Sequence, residues 1–266
     1  MAAGKHINTV DQAKQALFGP ENGEVSSEVA RLSDVVRGAV FKGMLSRDVR
    51  LGVELDRRLP FSQSLGRACF VDLDDQSRIA QRSMVSTDVN AEHLTVFGGS
   101  LREAVSGTTF VDLGCGGDMS FQPKEIAHVF GAHQYIGIDK SDGFVDRVEE
   151  NGKSVYMTGD ILETLVKLTA RPSNEDLVLF LCGIELSRER PLFPGDPTNS
   201  NNDRYAEECR TRMDRIRPRA IVIGPGTSRD FRPNAQFFRL AASQDVRTDL
   251  GEIAVAEYEL WVPKDI

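Results

Sequence analysis

VDLGCGGD, residues 111–118, is the stretch of sequence that decides the fold. Its first three residues end an apolar run at Leu113, and a segment with helical spacing follows it, so its glycines lie at a sharp turn between a strand and a helix. Such a turn allows a ligand to approach the backbone closely. A nicotinamide dinucleotide site has the pattern G-x-G-x-x-G, but counted from Gly114 the third glycine is replaced by Met119. The turn therefore favours a ligand other than a dinucleotide.

From Thr108 onward, short apolar runs alternate with amphipathic stretches. This alternation is typical of βαβ units and predicts a mostly parallel sheet with helices on both faces. The run LVLFLC, residues 177–182, is apolar on both alternating faces, as expected of a central parallel strand. The predicted strands are Thr109–Leu113, Gln134–Ile138, Ser154–Met157, Leu177–Leu181, Ala220–Ile223 and Ile253–Val262, and the predicted helices are Pro123–Phe130, Gly143–Glu149, Leu162–Thr169 and Arg204–Arg215.

The first 107 residues contain few strand-like runs and several helical patterns. The clearest one follows Ser26 and has apolar residues spaced by three or four positions from Val29 to Val40. Weaker patterns predict helices over Ser46–Arg58 and Asp74–Met84. We expect two parts in the chain, a mainly helical N-terminal cap or substrate lobe over residues 1–107 and an α/β domain over residues 108–266.

The composition is acidic, with 40 acidic against 32 basic residues and a net charge of -8. Such a balance repels phosphate backbones and anionic lipid, so we expect neither a nucleic-acid nor a membrane partner. The 4 cysteines are widely spaced and fit neither a disulfide framework nor a structural zinc site, and no metal is expected. The start of the chain has no apolar leader and no run approaches the roughly 20 apolar residues of a membrane span, which favours a cytoplasmic protein.

The glycine turn carries a resemblance to a known family. An acidic residue stands two positions before a glycine, and a second glycine follows, here Asp112, Gly114 and Gly116. This resembles the first motif of the class I S-adenosylmethionine-dependent methyltransferases, although Asp118 stands where that family often has a third glycine. The resemblance covers residues 108 to about 262. It implies a Rossmann-like sheet of seven strands, mostly parallel, and S-adenosyl-L-methionine as the cofactor.

Two further strand ends match this family in order. The second strand, QYIGID, ends at Asp139, which by the resemblance holds the ribose. The third ends in Gly159 and Asp160, whose acidic side chain by the resemblance takes the adenine amino group, with Ile161 beside the adenine face. The cofactor-binding residues implied in this way are Asp112, Gly114, Cys115, Gly116, Asp139, Lys140, Asp160, Ile161 and Cys182.

Simpler roles remain open for the same residues. Asp139 and Asp160 also fit ordinary acids that end a strand or cap a helix, since aspartate is favoured at such positions in any protein. Cys115 and Cys182 fit small buried residues better than nucleophiles, because neither has an adjacent histidine. The ordered set of glycine turn and strand-end acids, more than any single residue, favours a cofactor site.

Catalytic residues are harder to predict from this sequence. Methyl transfer from a sulfonium mainly requires alignment of the acceptor and exclusion of water, so such enzymes need no common catalytic group. Glu185, directly after the fourth strand, is a candidate proton acceptor, and His93 is a candidate general base. Both also fit surface roles. The loop Ser187–Asn202 is rich in Pro, Gly and Asn and is expected to be either a substrate lid, which we favour, or a disordered insertion.

The sequence therefore predicts S-adenosylmethionine-dependent methyl transfer to an O or N atom of a small-molecule acceptor, with residues 1–107 supplying specificity and an optional homodimer contact. Two alternatives stay open. The same cofactor can donate its aminocarboxypropyl arm, or the fold can serve as a non-catalytic binding subunit.

Overall fold

A computed structural model describes most of the α/β half of the chain and parts of the N-terminal half. The described residues are 7–19, 24–34, 100–115, 124, 127–128, 130–140, 143–149, 152–181, 184, 198–224, 227–247 and 255–264. The helices predicted over 46–58 and 74–84 lie outside these residues.

The described strands form one sheet. They are β1 (Thr109–Leu113), β2 (Gln134–Asp139), β3 (Arg147–Glu149), β4 (Ser154–Thr158), β5 (Leu177–Leu181), β6 (Ala220–Ile223), β7 (Phe238–Arg247) and β8 (Val255–Pro263). Their spatial order is β3-β4-β2-β1-β5-β6-β8-β7. The five strands from β4 to β6 in that order are parallel. Strand β8 lies antiparallel between β6 and β7, and β3 is a short antiparallel strand at the opposite edge.

The central strands are buried along their whole length, because helices cover both faces of the sheet. The helices are α1 (Val10–Phe18), α2 (27–34), α3 (100–105), α4 (Ile161–Thr169) and α5 (Thr198–Ile216). Buried side chains of α1, α2, α4 and α5 form the core on one face. Side chains of α3 and of the helical segment at Ala127 fill the other face. None of the helices within the described residues is long and apolar enough to cross a membrane.

The fold class expected from the sequence is confirmed, with one additional strand. The all-parallel dinucleotide fold has the strand order 3-2-1-4-5-6. Here the strand next to β6 is β8, which runs antiparallel to it, and β7 forms the edge beyond β8. The dinucleotide fold lacks this antiparallel pair. The eighth strand is β3, which has only three residues. The sheet thus has the Rossmann-like, mostly parallel architecture expected from the sequence and differs from the all-parallel dinucleotide-binding sheet.

The helix predicted over Gly143–Glu149 is wrong, because this segment ends in β3. Val148 pairs with Val155 of β4, and the Arg147 guanidinium lies 3.8 Å from the centre of the Tyr156 ring. Pairing with a neighbouring strand and this cation–π contact outweigh the local helical spacing.

The described N-terminal helices belong to the core of the sheet. Thr9 caps α1 in a capping box with Gln12. The hydrophobic spacing of the sequence did not predict this helix. Ala13 and Leu17 of this helix are buried in the same core as β4 and α4. The division of the chain at residue 107 stays a prediction, since residues 35–99 lie outside the described part.

The helix predicted after Ser26 is confirmed over residues 27–34. The Ser26 hydroxyl accepts a hydrogen bond from the Val29 amide, and Val29 and Leu32 are buried. An ion pair between Glu28 and Arg204 joins α2 to α5. Helix α5 begins at Thr198, so the last residues of the expected lid are helical, while residues 187–197 lie outside the described part.

Candidate functional site

The glycine turn lies where the order of the parallel strands reverses. Strand β1 has β2 on one side and β5 on the other, and the crevice at the carboxyl ends of such strands is where α/β sheets bind ligands. Gly114, directly after β1, has a φ of +76°. Its amide and that of Cys115 both donate to the Ile138 carbonyl of β2, at 2.8 and 3.1 Å. The turn is therefore tied to the end of β2.

Two isoleucines lie against this turn. A Cβ on residue 114 would lie 3.4 Å from Ile161 Cδ1 and 3.5 Å from Ile184 Cγ1. The positive φ and these close contacts together favour glycine at position 114. Ile161 is the first residue of α4 and Ile184 follows β5, so apolar side chains from two different elements line the crevice beside the turn.

Asp112 of β1, two residues before Gly114, is fully buried. Tyr135 of β2 donates its hydroxyl hydrogen to the Asp112 carboxylate at 2.8 Å. Burial raises the pKa of Asp112 to about 7, opposed by the hydrogen bond from Tyr135 and reinforced by the negative charge of Asp139. Burial also keeps the pKa of Tyr135 well above its usual value, so the phenol remains a donor. Burial thus brings the pKa of a carboxyl group two residues before the turn close to neutral pH.

Cys115 is part of the packing around this carboxyl group. A Cβ on Gly137 would lie 3.0 Å from each of Cys115 Sγ, Tyr135 Oη and Tyr156 Cδ1, so β2 needs glycine there. Burial, together with the charges of Asp112 and Asp139, raises the pKa of the Cys115 thiol far above its ordinary value. A thiol in this state is a poor nucleophile, which agrees with a packing role.

Asp139 ends β2 at the same edge as the glycine turn. It is half-buried, and its carbonyl accepts a hydrogen bond of 2.9 Å from the amide of Gly159, the residue after β4. The ends of β2 and β4 are therefore joined next to the turn. A carboxylate at this edge is placed as the ribose-binding acids of α/β folds are, which fits the role predicted for Asp139.

Asp160 has partners that the sequence did not predict. Its side chain caps α4 by accepting from the amides of Leu162 and Glu163, at 2.8 and 3.3 Å. Lys140, Ser33 of α2 and Tyr205 of α5 also contact the same carboxylate. We refer to Asp160, Lys140, Ser33 and Tyr205 together as the Asp160 junction. These contacts support the capping role and leave the adenine contact expected for Asp160 without support.

Four predicted residues lie outside the described part of the chain. They include the second glycine of the turn, a cysteine after β5 and both candidates for catalysis: Gly116, Cys182, Glu185 and His93. Their predicted roles stay predictions. Among the described residues, no three or more His, Cys, Asp and Glu side chains come together in a group that could hold a metal ion.

The described residues at this edge of the sheet have chemistry that suits a nucleoside. The turn at Gly114 has no side chain to fill the crevice, Asp139 supplies a carboxylate at a strand end, and Ile161 and Ile184 supply apolar surface for a planar base. The negative charges of Asp112, when ionised, and Asp139 favour a ligand that carries a positive charge. Two described residues of the predicted set, Lys140 and Asp160, are instead bonded to each other.

This chain is similar to known proteins in structure but not detectably in sequence. No protein-family model and no curated protein matches the sequence. A proposed methyltransferase from Escherichia coli is similar with 10% identity and a TM-score of 0.39, over 68% of this chain and 89% of that one. An S-adenosylmethionine-dependent methyltransferase from Mesorhizobium loti is similar with 14% identity and a TM-score of 0.34, over 63% and 97%. Since these scores are low, the fold assignment rests on the strand order.

The expectation that nucleic acid is excluded as a partner is wrong. A proposed RNA methyltransferase from Pyrococcus horikoshii is similar to this chain with 12% identity and a TM-score of 0.38, over 66% of this chain and 84% of that one. A net charge of -8 does not by itself exclude RNA as a partner. Net charge is a sum over the whole chain and does not describe the field at a site. The small-molecule acceptor expected from the sequence is likewise not confirmed.

The site also contains residues that the sequence analysis missed. Ser33, Tyr135 and Tyr205 lie 127, 23 and 45 positions from their aspartate partners. No local pattern links residues so far apart in sequence. For Tyr135, the strand alternation of β2 could have indicated an inward-facing ring, but not its partner.

Proposed function

We propose that this chain binds S-adenosylmethionine at the carboxyl ends of β1, β2 and β4 and transfers a methyl group from it to an acceptor. The observation that carries this proposal is the position of the Gly114 turn and Asp139 together at the point where the strand order reverses. In open α/β sheets this point is where the ligand binds. The antiparallel β8 and the absence of a third glycine in the turn weigh against a dinucleotide.

Each side chain of the crevice has a definite task in this proposal. Asp139 accepts hydrogen bonds from the ribose hydroxyls, and Ile161 and Ile184 contact the faces of the base. Bound S-adenosylmethionine supplies a methyl group on a positively charged sulfur. Asp112 and Asp139 provide negative charge near that cation, and the buried walls of the crevice exclude water, which strengthens this attraction.

Ligand binding tests the first half of the proposal. Titration calorimetry with S-adenosylhomocysteine is expected to show one site on the unmutated protein. Asp139→Ala removes the acceptor for both hydroxyls and is expected to weaken binding at least about tenfold, or about 1.4 kcal/mol. Glu175 is an exposed acid just before β5, and Glu175→Ala serves as the matched control that should leave the affinity unchanged. Absence of binding by the unmutated protein would overturn the proposal.

Analysis of the products tests the second half. With S-adenosylmethionine labelled on the methyl group, the label is expected in the acceptor and S-adenosylhomocysteine in solution. Methylthioadenosine instead would indicate transfer of the aminocarboxypropyl arm. Total RNA and a small-molecule extract, assayed separately as acceptors, determine which class carries the label. Binding of the cofactor without any transfer to either class would indicate a non-catalytic subunit.

A further inference from the structure

The Asp160 carboxylate is almost completely enclosed, with 6% of the residue exposed. Its Oδ1 accepts from Ser33 Oγ at 2.9 Å and from the Leu162 amide at 2.8 Å, and its Oδ2 lies 2.5 Å from Lys140 Nζ. Tyr205 Oη lies 3.1 Å from both oxygens. A carboxylate has about four lone-pair positions for acceptance. The donors of the junction and the Leu162 amide occupy them, so no acceptor position remains for an adenine amino group.

The junction connects the two strand ends that carry the nucleoside site. Lys140 directly follows Asp139 of β2, and Asp160 directly precedes Ile161 of α4. The ion pair between Lys140 and Asp160 therefore fixes the distance between the predicted ribose-binding carboxylate and the predicted base-binding isoleucine. Ser33 adds α2 to this arrangement, because its hydroxyl donates to Asp160 and its carbonyl accepts from Lys140 Nζ at 2.9 Å.

We propose that Asp160 is a positioning residue of the nucleoside site, that its carboxylate does not read the adenine amino group, and that α2 is an integral part of this site through Ser33. The proposal rests on the proposed function, since it concerns the same ligand. Its physical basis is pre-organisation: when the junction holds Asp139 and Ile161 in place before binding, the ligand does not have to order them. Weakening the junction therefore lowers the affinity for every nucleoside ligand, whatever its base.

Two ligands that differ only at the base test the role of the carboxylate. S-inosylhomocysteine has a carbonyl in place of the adenine amino group of S-adenosylhomocysteine. With Asp160→Asn, both ligands are expected to bind about fivefold more weakly, so that the ratio of their affinities stays within about twofold of that of the unmutated protein. If the carboxylate read the amino group, the variant would lose affinity only for the adenosyl ligand and the ratio would fall by about tenfold or more. That result would overturn the proposal.

Ser33→Ala tests the contribution of α2 with a milder change. It removes one hydroxyl from the junction and is expected to lower the affinity for both ligands by about threefold. In the ligand-free protein, amide hydrogen exchange in residues 27–34 is expected to become faster. Ser173 is an exposed serine before β5, and Ser173→Ala is the matched control that should change neither the affinity nor the exchange. Unchanged exchange and unchanged affinity in Ser33→Ala would overturn the role assigned to α2.

The two measurements separate this proposal from the proposed function. If the unmutated protein binds neither ligand, the proposed function fails and the positioning role fails with it. If the unmutated protein binds and the ligand ratio moves in Asp160→Asn, the cofactor site stands and the positioning role alone is overturned.

Discussion

Lys140 Nζ lies 2.5 Å from Asp160 Oδ2, an ion pair that joins the end of β2 to the start of α4. Asp160 is buried, and 26% of the Lys140 side chain is exposed. A buried carboxylate depends on its cation, because an uncompensated charge in a protein interior is costly. The stability of the strand ends at the candidate site thus depends on a residue that the sequence suggests only as a ligand contact.

Lys140→Met is expected to destabilise the protein by about 2–3 kcal/mol, since it leaves the Asp160 carboxylate buried without its cation. Adding Asp160→Asn should restore part of that loss, because asparagine is neutral and still caps α4. Urea denaturation of the two single variants and the double variant measures the coupling. Equal stability of Lys140→Met and the unmutated protein would show that the ion pair contributes nothing.

The buried Asp112 predicts a pH dependence of stability. Because folding raises the pKa of Asp112 from its ordinary value of 3.8 to about 7, the folded protein holds this proton more tightly than the unfolded chain does. The stability contributed by this proton is complete below the unfolded pKa and is lost as the pH rises through about 7. Between about pH 5 and about pH 8, the unfolding free energy of the ligand-free protein should fall about 2 kcal/mol more than that of Asp112→Asn.

Asp112→Asn serves as the control for this pH dependence. Asparagine keeps an acceptor for the Tyr135 hydroxyl but cannot ionise, so its curve contains every other pH effect of the chain. The difference between the two curves isolates Asp112. Curves that run parallel from pH 5 to pH 8 would contradict the raised pKa.

Gly137→Ala is expected to destabilise the protein by about 2 kcal/mol, because the added methyl group meets three atoms at 3.0 Å in a packed strand. Gly143→Ala is a useful comparison, since Gly143 has a φ of +85° but an added Cβ would have no atom within 4 Å. Its cost should be about 1 kcal/mol, from backbone strain alone. A thermal unfolding series of both variants measures the difference, and the opposite ranking would contradict the packing described for β2.

Thr9→Ala tests whether α1 belongs to the core of the sheet. The change removes the capping box with Gln12 and is expected to lower global stability by about 1 kcal/mol. If α1 were instead an independent segment, amide exchange would accelerate in residues 10–18 while the unfolding free energy stayed the same.

The sequence predicted the parallel strands and the glycine turn well because both depend on local patterns. Runs such as Leu177–Leu181 are apolar on both faces only when a strand is buried, and Gly114 needs a backbone conformation that glycine adopts easily. The same local reasoning failed for β3, whose three residues are held by pairing with β4. It also missed β7, where the register shifts between Leu240 and Ala242 and the alternation is interrupted.

The arrangement of the site was less predictable than the fold. The positions of Asp112, Asp139 and Asp160 at strand ends follow from the sequence, but their partners come from distant segments. Asp160 illustrates the reason, since its junction includes Ser33 and Tyr205, 127 and 45 residues away. Whether a strand-end acid caps a helix or binds a ligand depends on such long-range contacts, which a local pattern does not contain.

A crystal structure with S-adenosylhomocysteine tests the central claim most directly. The predicted result places the ribose hydroxyls on the Asp139 carboxylate and the base between Ile161 and Ile184, beside the Gly114 turn. A nucleoside bound away from the carboxyl ends of β1 and β2, or a crevice that stays empty at saturating ligand, would contradict the claim.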